Sequence, residues 1–226
     1  MPGVLNHTYH QSRMNRIDIR YRLNRRTNEV KDAIRTLFPQ KISELRCLDI
    51  GTADGLMLSN LNSFFHFERA IGIDLSNELV CLNNDKNILI KNGSAEKLNF
   101  DDDCFDIIIS CATIEHLDDP IKMLNESYRT LKNKGIIIIT TPNPFHDKIA
   151  TILNYYDKNI HINTYTIKRL KNMLKQTKFN VINYKYFMIF PFFKIPFEKF
   201  LERLIAIIGL GRIMSNQIIV ARKDNG

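Results

Sequence analysis

From residue 46 onward, short uninterrupted apolar runs alternate with stretches whose apolar residues recur at helical spacing. The runs Arg46–Ile50, Arg69–Leu75, Ile88–Lys91, Phe105–Ser110 and Gly135–Thr141 predict strands. Gly55–Phe65, Ser76–Asn84, Ile121–Lys132 and Ile167–Thr177 predict the helices between and after them. Ser76 with Glu78 opens one helix, and Asp118-Asp119-Pro120 opens another. Strands that are apolar throughout fit a parallel sheet covered by helices on both faces. Phe179–Phe187 and Ser215–Arg222 predict two more strands. No ordinary crossover helix joins them, so one is expected to run antiparallel. Ahead of the alternation, residues 24–38 predict a helix with Val30, Ile34 and Leu37 on one face and Pro39 as its stop. Residues 1–20 are polar and expected to be loosely ordered. The pattern as a whole is α/β and doubly wound.

A chain of 226 residues suits one domain with an elaboration. Its segments would be an N-terminal cover (1–44), a core (45–182), an apolar insertion (183–214) and a last strand with a tail (215–226). Hydrophobic residues at 44% and charged residues at 25% exclude a wholly disordered or fibrous chain. No apolar run approaches the roughly 18–20 residues of a membrane span. The opening MPGVLNHTYHQSRMNR lacks a secretory apolar core, and its resemblance to a transit peptide is faint. Cys47, Cys81, Cys104 and Cys111 form no C-x-x-C pair and no zinc spacing, so no metal site is expected. Reduced thiols of a cytoplasmic protein are the reading they favour.

The net charge of +8 is unevenly spread. Residues 1–45 carry 9 basic against 4 acidic residues, 46–145 carry 9 against 15, and 146–226 carry 14 against 5. An acidic middle suits a cationic cofactor, and basic flanks suit an anionic partner or surface, unless those charges merely solvate a face.

The chemistry concentrates where the first strand, ending Leu48-Asp49-Ile50, runs into Gly51-Thr52-Ala53-Asp54-Gly55 and a helix. Glycine lets backbone approach a ligand, and a helix start presents free N–H groups. Asp74 ends the next strand, where a carboxylate can accept ribose hydroxyls. The bend is G-x-A-x-G, shorter than the G-x-G-x-x-G of dinucleotide sites. Asp49 and Asp54 beside it would repel a pyrophosphate and suit a cationic amino-acid cofactor.

An ordered series of segments now carries a family resemblance: LDIGTADG (48–55), GIDLS (72–76), NGSAEKLNFDDDCFDIIIS (92–110), ATIEHLDDP (112–120) and LKNKGIIIITTPNP (131–144). The series resembles the class I S-adenosylmethionine-dependent methyltransferases, in particular the type 11 group that includes ubiquinone and menaquinone biosynthesis methylases. It covers roughly residues 45–145, and 161–182 more loosely. The resemblance implies a Rossmann-like, mostly parallel seven-stranded sheet with an N-terminal helical cover and a C-terminal lid-like insertion. It implies S-adenosyl-L-methionine as cofactor. Asp49 and the bend Gly51, Thr52, Ala53 and Gly55 would flank its methionine part. Asp74 would hold the ribose and Leu75 would pack on adenine. Ser94, Ala95 and Glu96 would border the adenine, and Ser110 and Cys111 would floor the methyl-transfer region. Ala53 stands where the family often has glycine, which is tolerable at negative φ. Ser94 replaces a frequent aspartate and Asn99 a frequent proline.

Other candidates are weaker. His116 follows the fourth strand with Glu115 and could take a proton from an acceptor hydroxyl, or simply order its loop. His161 and His146 are lesser candidates. Asp101, Asp102 and Asp103 read as a solvated turn. Residues 186–210 hold seven aromatics, and Phe197, Phe200, Leu201, Leu204, Ile205 and Ile208 recur at helical spacing opposite Glu198, Lys199, Glu202 and Arg203. Core or a homodimer face, an apolar acceptor pocket, and a peripheral membrane contact are the three readings of this stretch. Its aromatics cluster with aliphatics and not with arginine, and Ser110-Cys111-Ala112-Thr113 is no base-methylating tetrad, so nucleic acid is not the expected partner. The expected activity is methyl transfer to a small-molecule acceptor, apolar or lipid-linked. Alternatives are a non-catalytic cofactor-binding partner protein of the same fold, and a dehydrogenase.

Overall fold

A computed structural model describes residues 10–11, 14–40, 42–146 and 163–224. The parallel strands are β1 (Arg46–Ile50), β2 (Arg69–Asp74), β3 (Leu89–Asn92), β4 (Phe105–Cys111) and β5 (Leu131–Pro142). With β6 (Phe179–Phe187) and β7 (Asn216–Lys223) they form one sheet in the order β3-β2-β1-β4-β5-β7-β6. β7 is inserted antiparallel to both β5 and β6. The helices are α1 (Ile17–Leu37), α2 (Leu56–Phe65), α3 (Asn77–Val80), α4 (Pro120–Thr130), α5 (Ile167–Gln176) and α6 (Glu198–Ile207).

The central strands β1 and β4 and the Ile run of β5 are buried on both faces, as uninterrupted Ile and Leu runs demand, whereas the edge strand β3 is largely exposed. Leu48, Ile50, Ile108, Ile137 and Ile139 point to one side, against Met123 and Leu124 of α4 and Leu170 and Leu174 of α5. Cys47, Ile107, Ile109, Ile136 and Ile138 point to the other, against Val30 and Ile34 of α1 and Leu58 and Leu61 of α2.

Two helices differ in length from the sequence pattern. α1 begins at Ile17, several residues earlier than apolar periodicity indicates. Its first turns carry charge, and the i,i+4 pair Asp18–Arg22 supports them. α3 is only four residues long. Ser76 caps it, but Asn83 and Asp85 then bond their own backbone neighbourhood and start a turn.

The largest difference lies in α6. Its two glutamates are the covered side chains: Glu198 is 6% exposed and Glu202 8%, while Lys199 and Arg203 stay exposed. Arg25 of α1 reaches both, at 3.3 Å to Glu198 and 2.7 Å to Glu202, while also holding Glu29 at 2.8 Å. Tyr21 donates to Glu198, and the Met188 N–H donates to Glu202. Lys185 pairs with Glu29 from β6. Three glutamates around Arg25 hold its guanidinium further above its ordinary range, against the opposing effect of burial. Burial raises the Glu202 carboxyl despite that partner. Among the described residues no helix is long and apolar enough to cross a membrane.

Candidate functional site

β1 leads through Gly51–Gly55 into α2, and the bend is pinned to the neighbouring strand. Gly51 and Thr52 both donate backbone N–H to the Ile73 carbonyl, at 2.9 and 3.0 Å. Gly51, Ala53 and Gly55 all hold positive φ, at +74°, +54° and +80°. A Cβ on Gly51 would lie 2.2 Å from Thr113 Oγ1, and that hydroxyl is tied to the Ile50 carbonyl at 3.2 Å. Glycine is therefore required there by both conformation and space. Ala53 departs from expectation: its φ is not negative but left-handed, at a cost of about 1–2 kcal/mol. In that conformation its N–H meets Asp74.

Asp74 ends β2 and joins the bend to the following loop. Its Oδ2 accepts from Ala53 N–H at 2.8 Å and its Oδ1 from Ser76 N–H at 2.9 Å. Each carboxylate oxygen can accept a further bond beyond the one it has here. Leu75, next along, is 51% exposed, an apolar surface left open beside the carboxylate. Ser94 and Glu96 shape the nearby turn: Glu96 N–H donates to Ser94 Oγ at 3.2 Å, and Glu96 Oε1 accepts from Asp119 N–H at 2.9 Å. The Ala95 side chain is packed in the core.

Asp49 is buried in β1, in register with Gly72 and Ile109. Ser110, near the end of β4, lies beside Ile50 and Ile139. Among the described residues, the buried hydroxyls of Ser110 and Thr52 have no hydrogen-bond partner. Burial, then the Asp49 charge, pushes the Cys111 thiol up to about 12, so it is protonated and unreactive at neutral pH.

His116 closes the short turn Ile114–His116 after β4 and is half-buried. Burial, reinforced by the Arg26 charge, lowers its pKa, so the imidazole is neutral at neutral pH. Arg26 comes from α1 and donates through Nε and Nη2 to Asn216 Oδ1, both at 3.1 Å. A second contribution from the N-terminal side is His10, whose Nδ1 lies 2.6 Å from Asp54 Oδ2. Neither Arg26 nor His10 carries a local sequence signal, because the contacts join positions far apart in the chain. His146 is half-buried and burial lowers its pKa. His161 lies outside the described residues.

The structure thus brings Asp49, Asp54 and Asp74 around one bend that contains no Lys or Arg. The buried hydroxyls of Thr52 and Ser110 belong to the bend itself and to the adjoining strand β4. This donor set suits a positively charged ligand with hydroxyl groups and disfavours a pyrophosphate.

Comparison with known proteins agrees with that chemistry. Residues 21–184 match the family model described as "Methyltransferase domain". An uncharacterized methyltransferase of Bacillus subtilis, YcgJ, is 28% identical over 131 residues, which is 53% of this chain and 51% of that one. The malonyl-[acyl-carrier protein] O-methyltransferase of Bacillus cytotoxicus is 27% identical over 148 residues, 61% of this chain and 51% of that one. The chain spans about half the length of these curated relatives. A SAM-dependent methyltransferase from Archaeoglobus fulgidus shares the fold, with a TM-score of 0.63 and 23% identity, over 87% of this chain and 94% of that one.

Proposed function

The chain belongs to the class I S-adenosylmethionine-dependent methyltransferases, and on that premise we propose that it methylates a small-molecule acceptor of apolar or lipid-linked character. The observation that carries the cofactor part of the reading is the bond between Asp74 and the bend, which joins the proposed ribose-binding carboxylate to the glycine turn. Asp74 holds the ribose, and Leu75 offers its exposed side chain to the adenine. The turn of Ser94, Ala95 and Glu96 borders that ring. Asp49 and the Gly51–Gly55 bend flank the amino-acid part, and Ser110 and Cys111 floor the region beyond β4.

S-adenosylmethionine carries its methyl on a positively charged sulfur, so the activation arrives with the cofactor. The chain's own work is alignment and exclusion of water. His116, kept neutral by burial and by Arg26, is suited to take a proton from an acceptor hydroxyl. Support for an apolar acceptor comes from the carboxyl edge of the sheet. The segment after β6 sets Phe190 and Phe193 in a stacked pair with centroids 5.5 Å apart.

The test is thermal stabilisation by S-adenosylmethionine and by NADH, followed by S-adenosylhomocysteine release with lipid, quinone, sugar and polar extracts. The expected result is stabilisation by the first ligand alone and release with the lipid or quinone extracts. Binding with no release in any extract selects the non-catalytic partner protein, and stabilisation by NADH alone selects a dehydrogenase.

A further inference from the structure

α6 is an amphipathic helix mounted inside out. Glu198 and Glu202, one turn apart, face α1 and are bound by Arg25. The opposite face presents Phe197, Phe200, Leu204, Ile207 and Ile208 to solvent. Phe197 is 83% exposed and Ile207 79%, values that apolar side chains in a water-facing helix do not ordinarily reach as a contiguous set. Phe197 also holds a φ of +54°, a strained state for a bulky residue, at the helix start.

The charges decide what covers this face. Between Met188 and Ser215 the acidic residues are Glu198 and Glu202, and both are buried against Arg25. The exposed charges of the same stretch are Lys194, Lys199, Arg203 and Arg212, all positive. Lys199 is partly offset by Asp32 of α1 at 2.9 Å. An apolar ridge among cations of one sign would repel a second copy of itself across a two-fold axis. It attracts a surface that is apolar below and anionic at its rim.

The position fits as well. β5 ends at Pro142, in register with Asn216 of β7, which is in register with Phe187 at the end of β6. α6 therefore follows β6 on the carboxyl edge of the sheet, the edge that carries the glycine bend and His116.

We propose that the exposed face of α6, with the cations flanking it, docks on an anionic lipid bilayer, the acids of the helix being withdrawn into the Arg25 cluster so that only apolar and positive groups meet the lipid. Docking is read without any acceptor, so it stands or falls apart from the catalytic reading.

The test is flotation of the purified chain with vesicles of phosphatidylcholine alone or with about one-third phosphatidylglycerol. The expected result is flotation with the anionic vesicles, at least tenfold weaker with phosphatidylcholine alone. F200S/I207S should weaken flotation with anionic vesicles at least tenfold, as should K194E/R203E/R212E. Both variants alter exposed positions, and an unchanged melting temperature shows that they fold. Recovery of the wild type in the aqueous fraction with both vesicle types overturns the proposal. So does unaltered flotation of F200S/I207S, or a wild-type dimer in sedimentation that F200S/I207S dissolves, which assigns the face to a second copy.

Discussion

Asp74 Oδ2 accepts the backbone N–H of Ala53 across 21 residues of sequence, at 2.8 Å. One carboxylate thereby joins the Gly51–Gly55 bend to the end of β2, and in the proposed reading it also holds the cofactor ribose. Asp74→Ala removes both roles. The expected outcome is a fall in S-adenosylmethionine affinity of about 10- to 100-fold, from loss of charge-assisted bonds. Isothermal titration measures it, and Asp74→Asn, which keeps an acceptor, should lie between the two.

Ala53 is held at a φ that glycine adopts without strain. Ala53→Gly is expected to stabilise the fold by about 0.5–1 kcal/mol, the relief of left-handed strain less the added freedom of the unfolded chain. A rise of about 2 °C in melting temperature is the corresponding readout. A fall would show that the methyl makes packing contacts worth more than the strain.

Arg25→Met leaves Glu29, Glu198 and Glu202 around a missing cation. The expected loss is about 3–5 kcal/mol, the range for removing one partner of a buried ion cluster. The pH dependence has a definite sign. The Glu202 carboxyl is already raised above 4.5 by burial. A raised carboxyl contributes stability that is present below pH 4.5 and lost as pH rises through its folded value. Removing Arg25 raises it further, so the variant should be least impaired near pH 5 and most impaired near pH 8 in urea denaturation.

His116 is lowered below 6.5, chiefly by burial. Its contribution to stability is present above pH 6.5 and lost as pH falls through the lower, folded value. His116→Gln should therefore flatten the loss of stability between pH 6.5 and 5. With an oxygen acceptor it should also lower kcat by about 10²- to 10⁴-fold while leaving S-adenosylmethionine affinity unchanged. A kcat that stays at the wild-type level assigns His116 to loop ordering alone.

The sheet was legible because runs such as Ile107–Ile109 and Ile136–Ile139 leave no polar face to expose, so they had to be central strands. The place of Asp74 at the end of β2 beside the glycine bend was legible from the strand pattern, but its bonds to the Ala53 and Ser76 N–H groups were not. Other features depend on contacts that no local window contains. Arg25 meets Glu202 across 177 residues, and Arg26 meets Asn216 across 190. Periodicity groups Glu198, Lys199, Glu202 and Arg203 opposite the apolar residues of α6, but the structure covers only the two glutamates of that set. That depends on Arg25, which makes these two acids the ones that can be buried. The left-handed φ of Ala53 has no signal in its own side chain, which ordinarily takes negative φ, and it accompanies a hydrogen bond to a residue 21 positions away.

β7 follows β6 in the order of the described strands but lies between β5 and β6 in the sheet, and the pairing of β6 runs along it. On the ribosome, β6 therefore emerges as an unpaired ribbon, and β5 keeps an open edge, until residues 216–223 follow. Nascent chains interrupted before that point would carry two sticky sheet edges, and would be the species that chaperones hold and proteases clear.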